Sequence, residues 1–388
     1  MWPKKNTAFV VIHGAGPHRP FGVLDEFVRG FWHVLQGANR DLDIRWRHKL
    51  QRHGRLATLG RGPGTTWIEN YISLAPAGKP ALDFYEYYWD CYMDHEIGFT
   101  DVIQWCSGIS AGAKKFYHDH KELAQKHEES GSGLFKDGEF KVGGYFILLG
   151  PAGRLLRSLQ RLGIAKIPVL STGITLLLSR LLKSIVDLMG DLVIYAQCDA
   201  RSRNYAIRQK VVGGAVEELG LLLERDDYEQ IIVAGHSLGS LIAYDALNRI
   251  ILDMNAEGGV EPDKGQKIVG LVTFGSPLDK AAFFFREHTS AEEYVRRQTL
   301  AHLHGFKSRT LPGDQAPISI DDPIKHHLDQ ALWLNFYHLQ DPVSGHLDAY
   351  EVDENILCDV EVRGSGEAHA VYWFYDQMYE IISDRFFQ

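Results

Sequence analysis

The sequence predicts an α/β protein: a mostly parallel central sheet, helices on both of its faces, and a helical insertion near the middle of the chain. Three observations lead there. Short apolar, β-branched runs alternate with segments of helical periodicity. The run Ile231–Ala234 ends in Gly235-His236-Ser237-Leu238-Gly239, and a helical pattern begins at once. Asp341 follows another predicted strand, and His369 follows the last one, so both join Ser237 at the sheet's carboxyl edge, where open α/β sheets bind ligands.

Composition narrows the class. A chain of 388 residues is ample for a buried core, and it reads as a single domain, 1–388, interrupted by the insertion at 100–200. The formal net charge of −9 argues against nucleic acid as the main partner. Cys91, Cys106, Cys198 and Cys358 lie far apart without CxxC spacing, which favours unpaired thiols and a reducing compartment. The basic start Met1–Lys5 precedes an apolar run, Ala8–Ile12, too short for a signal peptide. No uninterrupted apolar stretch is long enough to span a bilayer. The expectation is a cytoplasmic protein.

In chain order, Thr7–Ile12 is a strand leading into His13-Gly14-Ala15-Gly16, whose glycines let the backbone turn tightly and aim N–H groups at a small anion. His13 is expected to orient this loop rather than move protons. Gly22–Leu35 has helical spacing, with Val23, Phe27, Val28, Phe31 and Leu35 on one face. Residues 40–80 are mixed, with a loop at Gly60–Gly64 and a strand over Ile68–Leu74. The alternating aromatic run Leu82–Trp89 is another strand. Glu128–Gly144, rich in Gly, Ser and charge, reads as a mobile loop.

The insertion then carries two amphipathic helices. Leu155, Leu156, Leu159 and Leu162 form one stripe beside Arg154, Arg157 and Arg161. After Pro168, Ile174, Leu177, Leu178, Leu181, Ile185 and Leu188 line a second. These faces suit either packing on the core or a lid; in the second case 145–190 is also the segment able to touch a membrane surface. Tyr205–Leu223 is a helix, Ile268–Phe274 a strand ending at Gly275–Asp279, Leu332–Leu339 a strand ending at Gln340–Val343, and Ile356–Val362 the last strand. A Gly-rich loop delivers His369, and Val371–Ile382 closes the chain as an amphipathic helix.

A serine hydroxyl needs a base to take its proton and an acid to orient that base. Ser237, His369 and Asp341 fit these roles, and the backbone N–H groups of Leu238 and Ala15, with Gly14 beside them, suit an oxyanion. Asp279 is the rival acid and His346 the rival base. Asp341 is preferred because its strand directly precedes the one leading to His369; His346 shares Asp341's loop. The pairs His118/His120, His302/His304 and His326/His327 lack an acidic or cysteine partner at ligand spacing, so no metal site is expected.

These pieces resemble the α/β-hydrolase superfamily in its lipase and esterase branch: strand–His13-Gly14-Ala15-Gly16, strand–Gly235-His236-Ser237-Leu238-Gly239–helix, Asp341-Pro342-Val343 after a strand, and His369 before the last helix. The match covers roughly 1–100 and 200–388. The resemblance implies the α/β-hydrolase fold and a serine hydrolase without a cofactor, acting on a small-molecule or lipid ester. Thioesterase or acyltransferase chemistry, or a non-catalytic module associated with membranes, are the alternatives. The departure from the family pattern is the long insertion, and a fold alone does not carry a substrate.

Overall fold

The computed structural model describes residues 2–16, 18–37, 42–48, 70–93, 117–118, 121–129, 135–140, 203–279, 294–309, 319, 321, 323–341 and 343–388. The two leucine-striped helices of the insertion, their lid reading and the membrane contact through 145–190 lie outside the described residues, as do Gly60–Gly64, Cys106 and Cys198.

The protein is built on an eight-stranded sheet. Its strands are β1 (Thr7–Ile12), β2 (Ile44–His48), β3 (Asn70–Leu74), β4 (Leu82–Tyr87), then, past a small separate hairpin of β5 (Phe135–Lys136) and β6 (Glu139–Phe140), β7 (Gln230–His236), β8 (Ile268–Phe274), β9 (Leu332–Tyr337) and β10 (Glu354–Leu357). The spatial order is β10-β9-β8-β7-β1-β4-β3-β2. From β10 to β4 every pairing is parallel, and only β3 and β2 run antiparallel to their neighbours.

The uniform hydrophobicity of β1 and β7 follows from their central place. Alternate residues serve opposite faces, and both faces are covered. Ala8, Val10, Ile12, Ile231 and Val233 belong to one core; Phe9, Val11, Ile232 and Ala234 belong to the other. The first core is closed by α3 (Arg203–Leu223) and α4 (Leu238–Met254), the second by α1 (Gly22–Gln36) and the terminal helix, α7 (Asp376–Phe386). In the second core Phe9 stacks on Phe84 at 5.4 Å and meets Phe27 edge-on at 5.7 Å; such pairs contribute about 0.5–1.5 kcal/mol beyond simple burial. Among the described residues no helix is long and apolar enough to cross a membrane.

Four expectations change. β2 emerges from the stretch read only as mixed: Ile44-Arg45-Trp46-Arg47-His48 is the sheet's edge, where charged residues guard an open ladder. The presumed loop 128–144 holds the end of helix α2 (Lys121–Glu129) and a hairpin of β5 (Phe135–Lys136) with β6 (Glu139–Phe140). Asp137 and Gly138 turn it at φ 57° and 69°, the conformation an Asp-Gly hairpin turn requires. The Glu128 carboxylate accepts both turn N–H groups at 2.9 and 2.7 Å.

The last strand is Glu354–Leu357 rather than Ile356–Val362, because its only partner among the described strands, β9, ends at Tyr337 opposite Leu357. Finally, His369 lies within a short helix, α6 (Ser365–Ala370), which comes after α5 (Tyr294–Leu303) in the chain, rather than on a loop. The Glu367 carboxylate accepts the Arg363 N–H at 2.7 Å and so secures the start of that helix. A 3₁₀ turn, Val371–Phe374, then separates it from α7.

Candidate active site

The elbow at Ser237 begins with a conformational demand. Ser237 sits at φ 51°, ψ −123° between β7 and α4, a region costing of order 1–3 kcal/mol for a residue with a Cβ. The surroundings hold it there. Ser237 N–H donates to the Phe274 carbonyl at 3.0 Å, and the Ser240 hydroxyl ties the first turn of α4 back to the Gly235 carbonyl at 2.9 Å. A Cβ on Gly239 would strike the Ile12 carbonyl and one on Gly235 the backbone of Gly239, so the crossing of β1, β7 and α4 admits glycine alone.

The elbow delivers the hydroxyl to His369. His369 Nε2 lies 2.9 Å from Ser237 Oγ, and Nδ1 lies 2.9 Å from Asp341 Oδ2. Because the carboxylate accepts, Nδ1 carries the hydrogen, and Nε2 is left as an acceptor facing the serine hydroxyl. Asp341 is 2% exposed. Its Oδ1 accepts the Val343 N–H at 2.9 Å, and its Oδ2 also accepts the Tyr372 hydroxyl at 2.8 Å. A buried carboxylate with three donors is compensated for its lost hydration.

The sequence-derived rivals are engaged elsewhere. Asp279, also buried, accepts the N–H groups of Asp348 and Ala349 at 2.7 and 3.0 Å and thereby clamps the loop after β8 to the loop after β9. His346 pairs through Nδ1 with Asp348 at 3.1 Å, which raises its pKa.

The loop after β1 lies against the elbow. A Cβ on Gly14 would stand 2.9 Å from the Ser237 Cβ, so glycine there sets how closely this loop approaches Ser237. Ala15 follows in the same loop, and Leu238 opens α4, where first-turn N–H groups have no intrahelical acceptor. His13 anchors the loop: Nδ1–H donates to the Gly14 carbonyl at 2.9 Å, Nε2 accepts the Trp89 N–H at 3.2 Å, and the rings of His13 and Trp89 stack at 4.7 Å. Burial pushes its pKa well down, so it stays neutral, as an orienting residue should.

Two neighbours were not singled out from the sequence. His236, inside the Gly-x-Ser-x-Gly motif, donates from Nε2 to the His369 carbonyl at 3.0 Å, and burial lowers its pKa to about 3. It fastens the backbone of His369 to the elbow. Its place beside the nucleophile was the available signal. Tyr372 lies three residues past His369, about one helical turn, and that spacing was the signal there. Among the described residues no cluster of His, Cys, Asp and Glu could hold a metal ion. Comparison with protein-family models, with curated proteins and with solved structures found no match to this chain.

Proposed function

We propose that this chain is a serine hydrolase of the α/β-hydrolase superfamily, in its lipase and esterase branch, cleaving carboxylic esters of small molecules or lipids through an acyl-enzyme. The observation that carries the reading is the hydrogen-bonded line from Ser237 through His369 to Asp341, 2.9 Å at each step, starting from a strained elbow. Ser237 Oγ attacks the carbonyl carbon while its proton passes to His369 Nε2. Asp341 stabilises the imidazolium that forms. The N–H groups of Leu238 and Ala15, with Gly14 packed beside the serine, face the developing oxyanion; each donor contributes on the order of 3 kcal/mol. The ester C–O bond then breaks and the alcohol leaves with the proton from Nε2. A water, deprotonated by His369, attacks the acyl-enzyme, releases the acid and restores Ser237.

The test is hydrolysis of p-nitrophenyl esters of graded chain length by the wild-type protein and by Ser237→Ala. The variant is expected to lose at least about a thousandfold in kcat while unfolding at the wild-type midpoint. Wild-type rates in a folded Ser237→Ala protein would overturn the proposal.

A further inference from the structure

The relay accounts for Ser237, His369 and Asp341 but gives no role to the buried hydroxyl that touches the acid. We infer that Tyr372 is a positioning residue that acts through Asp341, setting how much of the carboxylate's charge reaches the imidazole of His369. The inference rests on the relay proposed above.

The Tyr372 ring is fully buried. Its hydroxyl has one hydrogen, and a carboxylate can only accept, so that hydrogen goes to Asp341 Oδ2 at 2.8 Å. The Ser344 hydroxyl, 2.8 Å from the phenol oxygen, is then the donor to it, and Ser344 Oγ in turn accepts the His338 N–H at 3.3 Å. The result is a directed chain, Ser344 to Tyr372 to Asp341, in which each bond polarises the next. Burial, and then the charge of Asp341, push the Tyr372 pKa well above the ordinary tyrosine value, so the phenol remains a donor.

Which oxygen it takes matters. Tyr372 shares Oδ2 with His369 Nδ1, while Oδ1 serves the Val343 N–H. A phenol bonded to the shared oxygen withdraws charge that the imidazolium would otherwise feel. It also holds the carboxylate at a fixed rotation, since the base and this donor ride on one short segment. Removing the hydroxyl therefore makes Oδ2 a stronger acceptor and stabilises the imidazolium, an effect read from the acid limb of the activity profile.

The neighbouring titratable groups face this cluster from three directions. From β7, His236 is buried and neutral, its pKa near 3. From the segment after β10, burial pushes the Cys358 thiol up to about 12. From the end of β9, His338 accepts the Gln340 N–H at Nδ1 and donates from Nε2 to the Val360 carbonyl. All three are common to parent and variant, so a difference between their pH profiles reports on the Asp341–His369 pair.

The experiment compares the full-length wild type, Tyr372→Phe and Ser344→Ala. Hydrolysis of p-nitrophenyl butyrate is followed across pH, and the low-field proton resonance of His369 Nδ1–H is followed by NMR. Tyr372→Phe frees the rotation of the Asp341 carboxylate and is expected on that account to lower kcat about tenfold with KM within about twofold, while the stronger acceptor raises the acid limb of kcat/KM by about half a pH unit or more and moves the Nδ1–H resonance further downfield. Ser344→Ala, which leaves the phenol on Asp341 but removes its own donor, is expected to shift both readouts the same way by less. It also carries the test if Tyr372→Phe does not fold. A Tyr372→Phe protein that unfolds at a lower temperature but keeps the wild-type kcat, acid limb and resonance would make the hydroxyl structural only and overturn the inference. Activity surviving in Ser237→Ala would instead count against the relay itself; the resonance would still read whether Tyr372 acts on the Asp341–His369 pair.

Discussion

Asp279 and Asp341 begin as near twins. Each follows a central strand by a few residues, at the same edge of the same sheet, and each is almost completely buried. Yet Asp279 spends both oxygens on the backbone of the next loop, whereas Asp341 gives Oδ1 to the backbone and Oδ2 to an imidazole and a phenol. The difference is made by what arrives from distant sequence. The loop bearing Asp348 and Ala349 folds over Asp279, and the segment 369–372 reaches Asp341. A carboxylate at a strand end can thus clamp a loop or hold an imidazole and a phenol, and the partners brought to it decide which.

The comparison breaks most visibly through activity. Asp341→Asn is expected to lower kcat about 10³- to 10⁴-fold, because the amide cannot stabilise the imidazolium and favours the wrong tautomer. Its unfolding midpoint should move far less than that loss implies. Steady-state ester hydrolysis beside thermal melting checks both.

Asp279→Asn should do the reverse. An amide has one acceptor oxygen for the two N–H groups now held, and its NH₂ would face an amide donor. A loss of about 1–3 kcal/mol in urea unfolding is expected, with kcat of the folded protein within about tenfold of wild type. A crippled kcat at wild-type stability would move the acid to Asp279.

A third buried acid sharpens the contrast. Burial pushes the Glu86 pKa to about 7, although N–H groups of Phe21, Val23 and Leu24 at the start of α1 oppose the shift. Between the ordinary carboxylate range and about pH 7, folded Glu86 keeps a proton that the unfolded chain has lost. Stability therefore falls as pH rises through that window and levels off above it. Glu218, also raised by burial, adds a slope of the same sign. Glu86→Gln removes its own share, so the change in unfolding free energy between pH 5 and pH 8 is expected to shrink by about 1–3 kcal/mol, measured by urea titration at both values.

The smallest effect is expected at His346, whose partner is Asp348 rather than the relay. His346→Asn should leave kcat within about twofold; a large loss would reopen its claim as the base.

How far these features were legible depended on sequence distance. The elbow was plain because strand, turn and helix are contiguous and its glycines answer local collisions. β1, α1 and β8 were legible for a similar reason, since a strand covered on both faces is apolar throughout and an amphipathic helix repeats its stripe. β2 was not, because an exposed edge strand bearing Arg45 and Arg47 lacks that continuity. Asp341 and His369 were put together as acid and base only from the order of their strands, with Asp279 and His346 as rivals, since the contact itself is a tertiary event. Tyr372 had only its spacing from His369 to mark it within the stretch read as the closing helix. Its hydroxyl gained meaning only when Asp341 closed on it from across the sheet edge.

The central claim is that Ser237 is a nucleophile activated by His369 and Asp341, and covalent trapping tests it most directly. The folded wild-type protein is treated with a fluorophosphonate, digested and mapped by mass spectrometry. The account predicts one stoichiometric adduct, on the peptide containing Ser237, and its disappearance in His369→Ala. A folded wild type that takes up no probe, or that carries it on another serine such as Ser276 past β8, would contradict it.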